Sequence, residues 1–248
     1  VTEALFLVDE LGERVLLDGP EGRHAAAVKR IRVGETVRLS DGRGALARAE
    51  AVAVGRDTVE FAVLSREHHP APPLRITLAQ ALVKGDRGEL AVETATEAGV
   101  DAILPWRAAR CVAKWEQGPR GDKALARWRA TVREAAKQAR RPWVPAVGEP
   151  VDTRRLARHD GPILVLHESA TDVLAATDLP VSGDVLLVVG PEGGVSDDEL
   201  DLLVAAGAKA VRLGPEVLRA STAAAVALGA IGALSARWCD RAHAAPPS

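Results

Sequence analysis

Late in the chain, an arginine, a histidine and several glutamates fall on short turns marked by glycine and proline. Gly190-Pro191-Glu192-Gly193-Gly194 follows the apolar run ending at Val189, and the segment Leu213 to Thr222 (L-G-P-E-V-L-R-A-S-T) follows a second such run. His167-Glu168 closes a third, ending at Leu166. Apolar runs that stop at a turn and lead into a helix are how α/β proteins build a ligand site at the carboxyl ends of their strands. Gly193 and Gly194 let the backbone turn tightly and approach a ligand. Ser196 and Glu199 have capping-box spacing, so a helix is expected to start there. There is no G-x-G-x-x-G and no G-K-[ST], so the spacing points to a ligand other than a nucleotide pyrophosphate. Arg219 offers a fixed cation that can hold a phosphate; the alternative is a structural ion pair with Glu192 or Glu216. Glu192 is either a base or a loop anchor, and His167 either lines the ligand or simply ends its strand.

These turns need a sheet to present them. Leu74–Leu82, Ala102–Pro105, Ile163–Leu166, Val185–Val189 and Ala210–Leu213 read as strands. Between the first two, a helix is predicted from Asp86 to Ala98, stopped by Gly99; after the second comes a long basic helix from about Gly121 to Ala139. Strands alternating with helices indicate a mostly parallel sheet covered on both faces. The first part of the chain reads differently. Ala4–Val8, Arg14–Leu17, Thr36–Ser40, Ala45–Val54 and Thr58–Leu64 are short strands, with helical turns near Arg23–Arg30 and a hairpin at Asp41-Gly42-Arg43-Gly44. A small barrel is expected, followed by a stiff linker, Glu67 to Pro73.

A chain of 248 residues, 47% hydrophobic, can bury one or two cores, and its net charge of −2 excludes a uniformly basic nucleic-acid coat. Basic residues are nevertheless concentrated. Arg23, His24, Lys29, Arg30 and Arg32 cluster in the first segment, and Arg120, Lys123, Arg127, Arg129, Arg133, Lys137, Arg140 and Arg141 stud the long helix and its end. Either set could neutralise phosphates, although a solvated helix face explains the second equally well. Cys111 and Cys239 lie too far apart for a C-x-x-C site and suit a reducing cytoplasm. His68 and His69, adjacent in a proline-rich stretch, point apart, so no metal is expected. Glu3, Asp9 and Glu10 interrupt any apolar leader. The uncharged run Ala220 to Ala236 is short for a membrane span; a helix buried in the core or at a subunit interface is expected.

Four stretches stand in a distinctive order: K-G-D-R-G-E-L-A-V-E-T-A-T-E-A-G-V from Lys84, H-E at His167, G-P-E-G-G-V-S from Gly190, and L-G-P-E-V-L-R-A-S-T-A from Leu213. With R-H-A-A-A-V-K-R-I-R-V-G-E and the D-G-R-G turn in front, the chain resembles the RsmE-type 16S rRNA (uridine N3) methyltransferases of the SPOUT class. The resemblance implies a PUA-like RNA-binding barrel over residues 1–70. It implies a SPOUT α/β domain over 74–241, its parallel sheet tied in a trefoil knot. It further implies S-adenosylmethionine as methyl donor, a cytoplasmic homodimer, and 16S rRNA or the small ribosomal subunit as partner, with no metal and no membrane. The donor would lie against Leu166, His167, Glu168, Val189, Gly190, Pro191, Glu192, Gly193, Gly194, Leu213, Gly214, Leu218, Arg219, Ala220 and Thr222. Arg219 would also act chemically, on the uracil oxygen that gains charge as N3 loses its proton. RNA would meet Arg23, His24, Lys29, Arg30, Arg32, Lys84, Arg87, Lys137 and Arg140. The family pattern usually reads L-G-x-R-I-L-R-T-E-T-A at the last stretch; here Glu216 replaces the first arginine and Ala220-Ser221 replaces Thr-Glu. Gly88 stands where the family often has a larger apolar residue. A ribose 2′-O-methyltransferase of the same fold, or a non-catalytic RNA-binding assembly factor, remain alternatives.

Overall fold

The computed structural model describes residues 3–115 and 118–238, and the chain divides into two compact units, Val1–Ala71 with Ala136–Val144, and Pro72–Ala135 with Pro145–Ser248. In the first unit, strands β1 (Leu5–Leu7), β2 (Arg14–Leu17), β3 (Thr36–Ser40), β4 (Ala45–Val54) and β5 (Val59–His68) form a mixed sheet in the order β1-β3-β4-β5-β2. The expected small barrel is therefore, in its backbone pairing, a sheet with β1 and β2 at its edges. β1 pairs parallel to β3 rather than through a hairpin, and the other pairs are antiparallel. The long β4–β5 pair shifts register at Arg48/Ala49 and Ala51/Ala53, irregularities of the kind that bend and twist a ribbon. Alternate residues of β4, Ala47, Ala49 and Ala51, point into a core with Phe6, Leu39 and Phe61.

Two expectations change here. Glu67 and His68 belong to β5 and not to a linker, because β4 is long enough to give them backbone partners at Leu46 and Ala45. The predicted turns near Arg23–Arg30 are α1 (Gly19–Arg23) running into a five-residue π-turn, His24–Val28, closed by the Lys29 N–H on the His24 carbonyl at 2.8 Å.

The second unit holds an all-parallel six-stranded sheet: β6 (Leu74–Ala81), β7 (Ala102–Trp106), β8 (Ala146–Val147), β9 (Ile163–Leu166), β10 (Gly183–Val189) and β11 (Lys209–Val211). Its order is β11-β9-β10-β6-β7-β8. The helices are α2 (Arg87–Glu97), α3 (Pro119–Gln138), α4 (Thr153–Leu156), α5 (Asp197–Ala205) and α6 (Ala220–Leu234). β11 is shorter than expected because the Arg212 N–H turns to the Asp172 carbonyl, which releases Leu213 into a loop. Central strands are buried on both faces, as their unbroken apolar runs require; Leu186, Leu187 and Val188 are wholly inaccessible, each worth about 1.5–3 kcal/mol of burial.

Packing explains the unusual glycine and alanine usage. α2 presents Gly88, Ala91, Val92 and Ala95 at helical spacing and packs against α6, which buries Ala223, Ala224, Ala227 and Ile231. Small residues on both sides let the axes approach. A side chain at Gly88 would start 3.1 Å from the Trp128 indole nitrogen, so the Trp128 ring fills the space that a larger residue at 88 would take. At the other end of the sheet Arg237 is locked beneath β6. Its guanidinium meets Asp101 at 2.8 Å and donates to the carbonyls of Leu74 and Gly99, with both charged side chains under 8% exposed. Asp101 also accepts the Ile76 N–H at 2.7 Å. Breaking a buried pair strands the remaining charge. Arg237→Ala is expected to cost about 3 kcal/mol in urea unfolding; an unchanged midpoint would show that the pair does not anchor this end.

Candidate functional site

Backbone register decides where the site can form. Val211, Leu166, Val189 and Gln80 lie in one row across β11, β9, β10 and β6. Each sits at or beside the carboxyl end of its strand, so four loops leave the sheet from one line. The connection from β6 leads through α2 to β7 on one side, whereas that from β10 leads through α5 to β11 on the other. Diverging loops open a crevice between β6 and β10, the switch point where α/β sheets take ligands.

A cleft of about 540 Å³, within the range of small-molecule sites, lies at the carboxyl ends of β9, β10 and β11, with Arg87 of α2 also lining it. Leu166, His167 and Glu168 reach it from β9, Val189, Gly190, Pro191, Glu192, Gly193 and Gly194 from β10, and Leu213, Gly214, Leu218, Arg219 and Ala220 from the loop after β11. The structure thus brings together fourteen of the fifteen residues singled out for the donor, His167 and Arg219 included. Thr222 is the exception. Its hydroxyl turns back to the Arg219 carbonyl at 3.2 Å, so it closes the first turn of α6. Arg87, expected on the RNA side, also lines the cleft. Sequence reasoning missed Val195, Val211, Arg212, Ser221 and Ala223; the helical period running from Ala220 was a signal for Ala223.

Most of what the cleft offers is backbone. Gly194 adopts φ of +72°, and its N–H closes a tight turn on the Pro191 carbonyl at 2.9 Å. The N–H groups of Glu192, Gly193, Gly214, Val217, Leu218 and Arg219 donate to no backbone carbonyl among the described residues. Amides left unpaired in residues that line a cleft are available as donors for a ligand's acceptors. The Glu192 carboxylate meets the Arg87 guanidinium at 3.4 Å, which makes it a loop anchor in this state. Both are well exposed, so the pair contributes less than about 1 kcal/mol. Neither Glu192 nor Glu216 pairs with Arg219, whose exposed guanidinium has no ion pair or hydrogen bond among the described residues. His167 Nδ1 lies 2.9 Å from Ser169 Oγ and accepts the Ser169 N–H at 3.3 Å, which places the proton of a neutral ring on Nε2.

One carboxylate supports the site from below. Glu199 Oε2 accepts the Ser196 N–H at 3.3 Å and the Ser196 hydroxyl at 2.8 Å. Ser196 and Glu199 form the expected capping box at the start of α5. Glu199 Oε1 takes the Thr153 hydroxyl at 2.7 Å and the Ala109 N–H at 2.9 Å, and the Trp106 indole donates to Thr153 at 3.1 Å. This nearly buried network ties the ends of β7, α4 and α5 together. Nearby, burial above all, with help from Glu199 and Glu192, raises the Cys111 thiol above its ordinary pKa, so it is a neutral thiol at physiological pH and a poor nucleophile. Cys239 lies outside the described residues.

The expected RNA-binding side chains separate into two kinds. In the first unit Lys29, Arg30 and Arg32 are exposed and make no side-chain ion pair among the described residues, and Arg30 adopts φ of +55°. Arg23 is exposed beside Asp57 at 3.8 Å. His24 is a packing residue, edge-on to Phe6 at 5.9 Å between ring centres. Lys137 also departs from expectation: its side chain is 8% exposed and its ammonium sits 2.9 Å from Glu21, so it is spent on the fold. Arg140 is exposed with φ of +53°, and Lys84 lies in a shallow groove beside Arg87. On the basic helix α3, Arg127 pairs with Glu89 and Arg129 with Glu149, and Arg141, just past its end, is buried. Among the described residues no group of histidine, cysteine or carboxylate side chains could hold a metal, and no helix is long and apolar enough to cross a membrane.

Residues 70–232 match the family model of an RNA methyltransferase domain, and residues 17–64 that of an RNA methyltransferase PUA domain. The ribosomal RNA small subunit methyltransferase E of Mycobacterium bovis is 51% identical over 94% of this chain and 93% of its own length. The chain belongs to the ribosomal RNA small subunit methyltransferase E family. Its Bacillus subtilis member is 30% identical over 87% of this chain and 88% of its own. A solved member of the family, from Neisseria gonorrhoeae and bound to S-adenosyl methionine, superposes with a TM-score of 0.85 at 30% identity, covering 94% of this chain and 98% of that one. The whole cleft, from Arg87 to Ala223, falls inside the methyltransferase match, and Lys29, Arg30 and Arg32 fall inside the PUA match. Gly194→Ala, which forces a side chain into left-handed backbone, is expected to cost about 1–2 kcal/mol in denaturant unfolding; no loss would mean that the turn tolerates another conformation.

Proposed function

We propose that this protein methylates N3 of a uridine in 16S rRNA of the small ribosomal subunit, with S-adenosylmethionine as donor. The observation that carries this reading is the cleft at the carboxyl ends of β9, β10 and β11, lined by residues with unpaired backbone amides and fringed by a free arginine, in a chain of this family. Its volume and mixed lining fit a nucleoside joined to an amino acid. When bound, the donor supplies an electrophilic methyl on a sulfonium. Residues Leu166–Glu168, Val189–Gly194, Leu213–Gly214 and Leu218–Ala220 hold and orient it, mostly through main-chain groups that need no rearrangement. Arg219 stands where a guanidinium can stabilise the negative charge that spreads onto the uracil oxygens as N3 gives up its proton.

The finer architecture belongs to the same proposal. Residues 1–70 serve as a PUA-like RNA-binding domain and 74–241 as a SPOUT domain whose chain is tied in a trefoil knot. Support comes from β10 lying between β6 and β9, and from the segment after edge strand β11 returning to α6, which packs on α2, β6 and β10. Val226 and Leu234 on α6, each about half exposed, with Leu90 on α2, offer an apolar face that a homodimer would cover. The protein acts in the cytoplasm, where small subunits are made.

Calorimetry should show S-adenosylmethionine binding without added metal; absence of binding at saturating donor would overturn the donor reading. Arg219→Ala should lower turnover about 10²–10³-fold with donor affinity little changed, and unaltered turnover would remove the residue from the chemistry. Replacing Arg30 and Arg32 together should flatten the salt dependence of RNA binding, by roughly 0.7 in log–log slope per lost phosphate contact. An unchanged slope would move the RNA surface elsewhere.

A further inference from the structure

We infer that Arg110 is a positioning residue that braces the glycine loop of the donor site from behind, and does so through a single nitrogen. This rests on the proposed donor site. Arg110 follows β7, is exposed, and does not line the cleft. One guanidinium nitrogen donates to the Gly193 carbonyl at 3.2 Å and to the Val195 carbonyl at 3.3 Å. The approach is close because residue 193 is glycine: a side chain there would begin 3.3 Å from Arg110 Cβ.

Both ends of the brace are defined. At its base, the Ala109 N–H is fixed to Glu199, which also holds Thr153 and Ser196. At its tip, Arg110 holds two carbonyls that flank Gly194, whose own N–H is already committed to Pro191. With those groups engaged, the amides of Glu192 and Gly193 are left in one fixed arrangement for the ligand. A loop with two adjacent glycines would otherwise sample many conformations, and binding would have to order it each time. Charge-assisted hydrogen bonds to carbonyls are strong enough to set such a preference.

The competing role for an exposed arginine in an RNA-modifying enzyme is a phosphate contact, and the test separates the two. Donor affinity is measured by calorimetry without RNA for the wild type, Arg110→Ala, Arg110→Lys and Arg107→Ala. The last removes an exposed neighbour that donates to the Pro150 carbonyl, away from the cleft. Arg110→Ala should weaken S-adenosylmethionine binding about tenfold with an unchanged unfolding midpoint. Arg110→Lys should stay within about threefold of wild type, because one ammonium can donate to both carbonyls; Arg107→Ala should match wild type. If the wild type binds and Arg110→Ala binds equally well, the brace is overturned alone, and a loss confined to the salt dependence of RNA binding assigns the residue to phosphate instead. Failure of Arg110→Lys to rescue contradicts the single-nitrogen brace. A wild type that binds no donor overturns the donor site and the brace together.

Discussion

The site exists because β10 is inserted between β6 and β9. Parallel pairing on both sides aligns Val189 with Gln80 and Leu166, and the same register brings Val211 into the row. Sheet hydrogen bonding therefore gathers loops that are far apart in sequence onto one line. The cleft opens among the loops that follow β9, β10 and β11, with Arg87 of α2 also lining it. Moving β10 by one position would flip its buried faces and scatter the loops, so the apolar run Val185–Val189 serves the core and the site at once.

Stability and ligand capacity are divided between different groups. The sheet, the α2–α6 contact and the Asp101–Arg237 lock hold the unit together away from the cleft or beneath it. At the cleft the backbone is left partly unpaired, which costs stability but supplies donors where a ligand needs them. Glu199 stands between the two regimes: its buried carboxylate satisfies Ser196, Thr153 and Ala109, so the floor of the site is fixed while the glycine loop above keeps its open amides.

Much of this was legible in the residues. The second unit's strand-and-helix alternation led to the parallel sheet, and glycine and proline punctuation marked the turns where its strands stop; the fourteen cleft residues came from the family resemblance, supported by their placement after strands. What failed had local physical causes. The Glu67–Pro73 stretch looked like a linker because proline dominates it, yet β4 reached far enough to pair with its first two residues. Lys137 looked like a phosphate contact from its place in a basic helix, but Glu21 claims it across a separation that sequence spacing does not encode. Thr222 carried the right neighbours, but its hydroxyl turns back to the Arg219 carbonyl within the first turn of α6 and does not line the cleft. Arg110 gave no signal, since its role depends on a loop more than eighty residues later. The Glu192–Arg87 pair and the unpaired Arg219 became visible only when the loops were placed.

The departures at Glu216 and Ala220-Ser221 leave the cleft open and lined by the same segments, with Ser221 buried in its wall. The most direct test of the account is to incubate the protein with isotopically labelled S-adenosylmethionine and small ribosomal subunits that lack the modification, digest the RNA, and identify the labelled nucleoside by mass spectrometry. The expected result is label on a single uridine of 16S rRNA, at N3 of the base. Label on a ribose 2′-oxygen, or none despite donor binding, would contradict it.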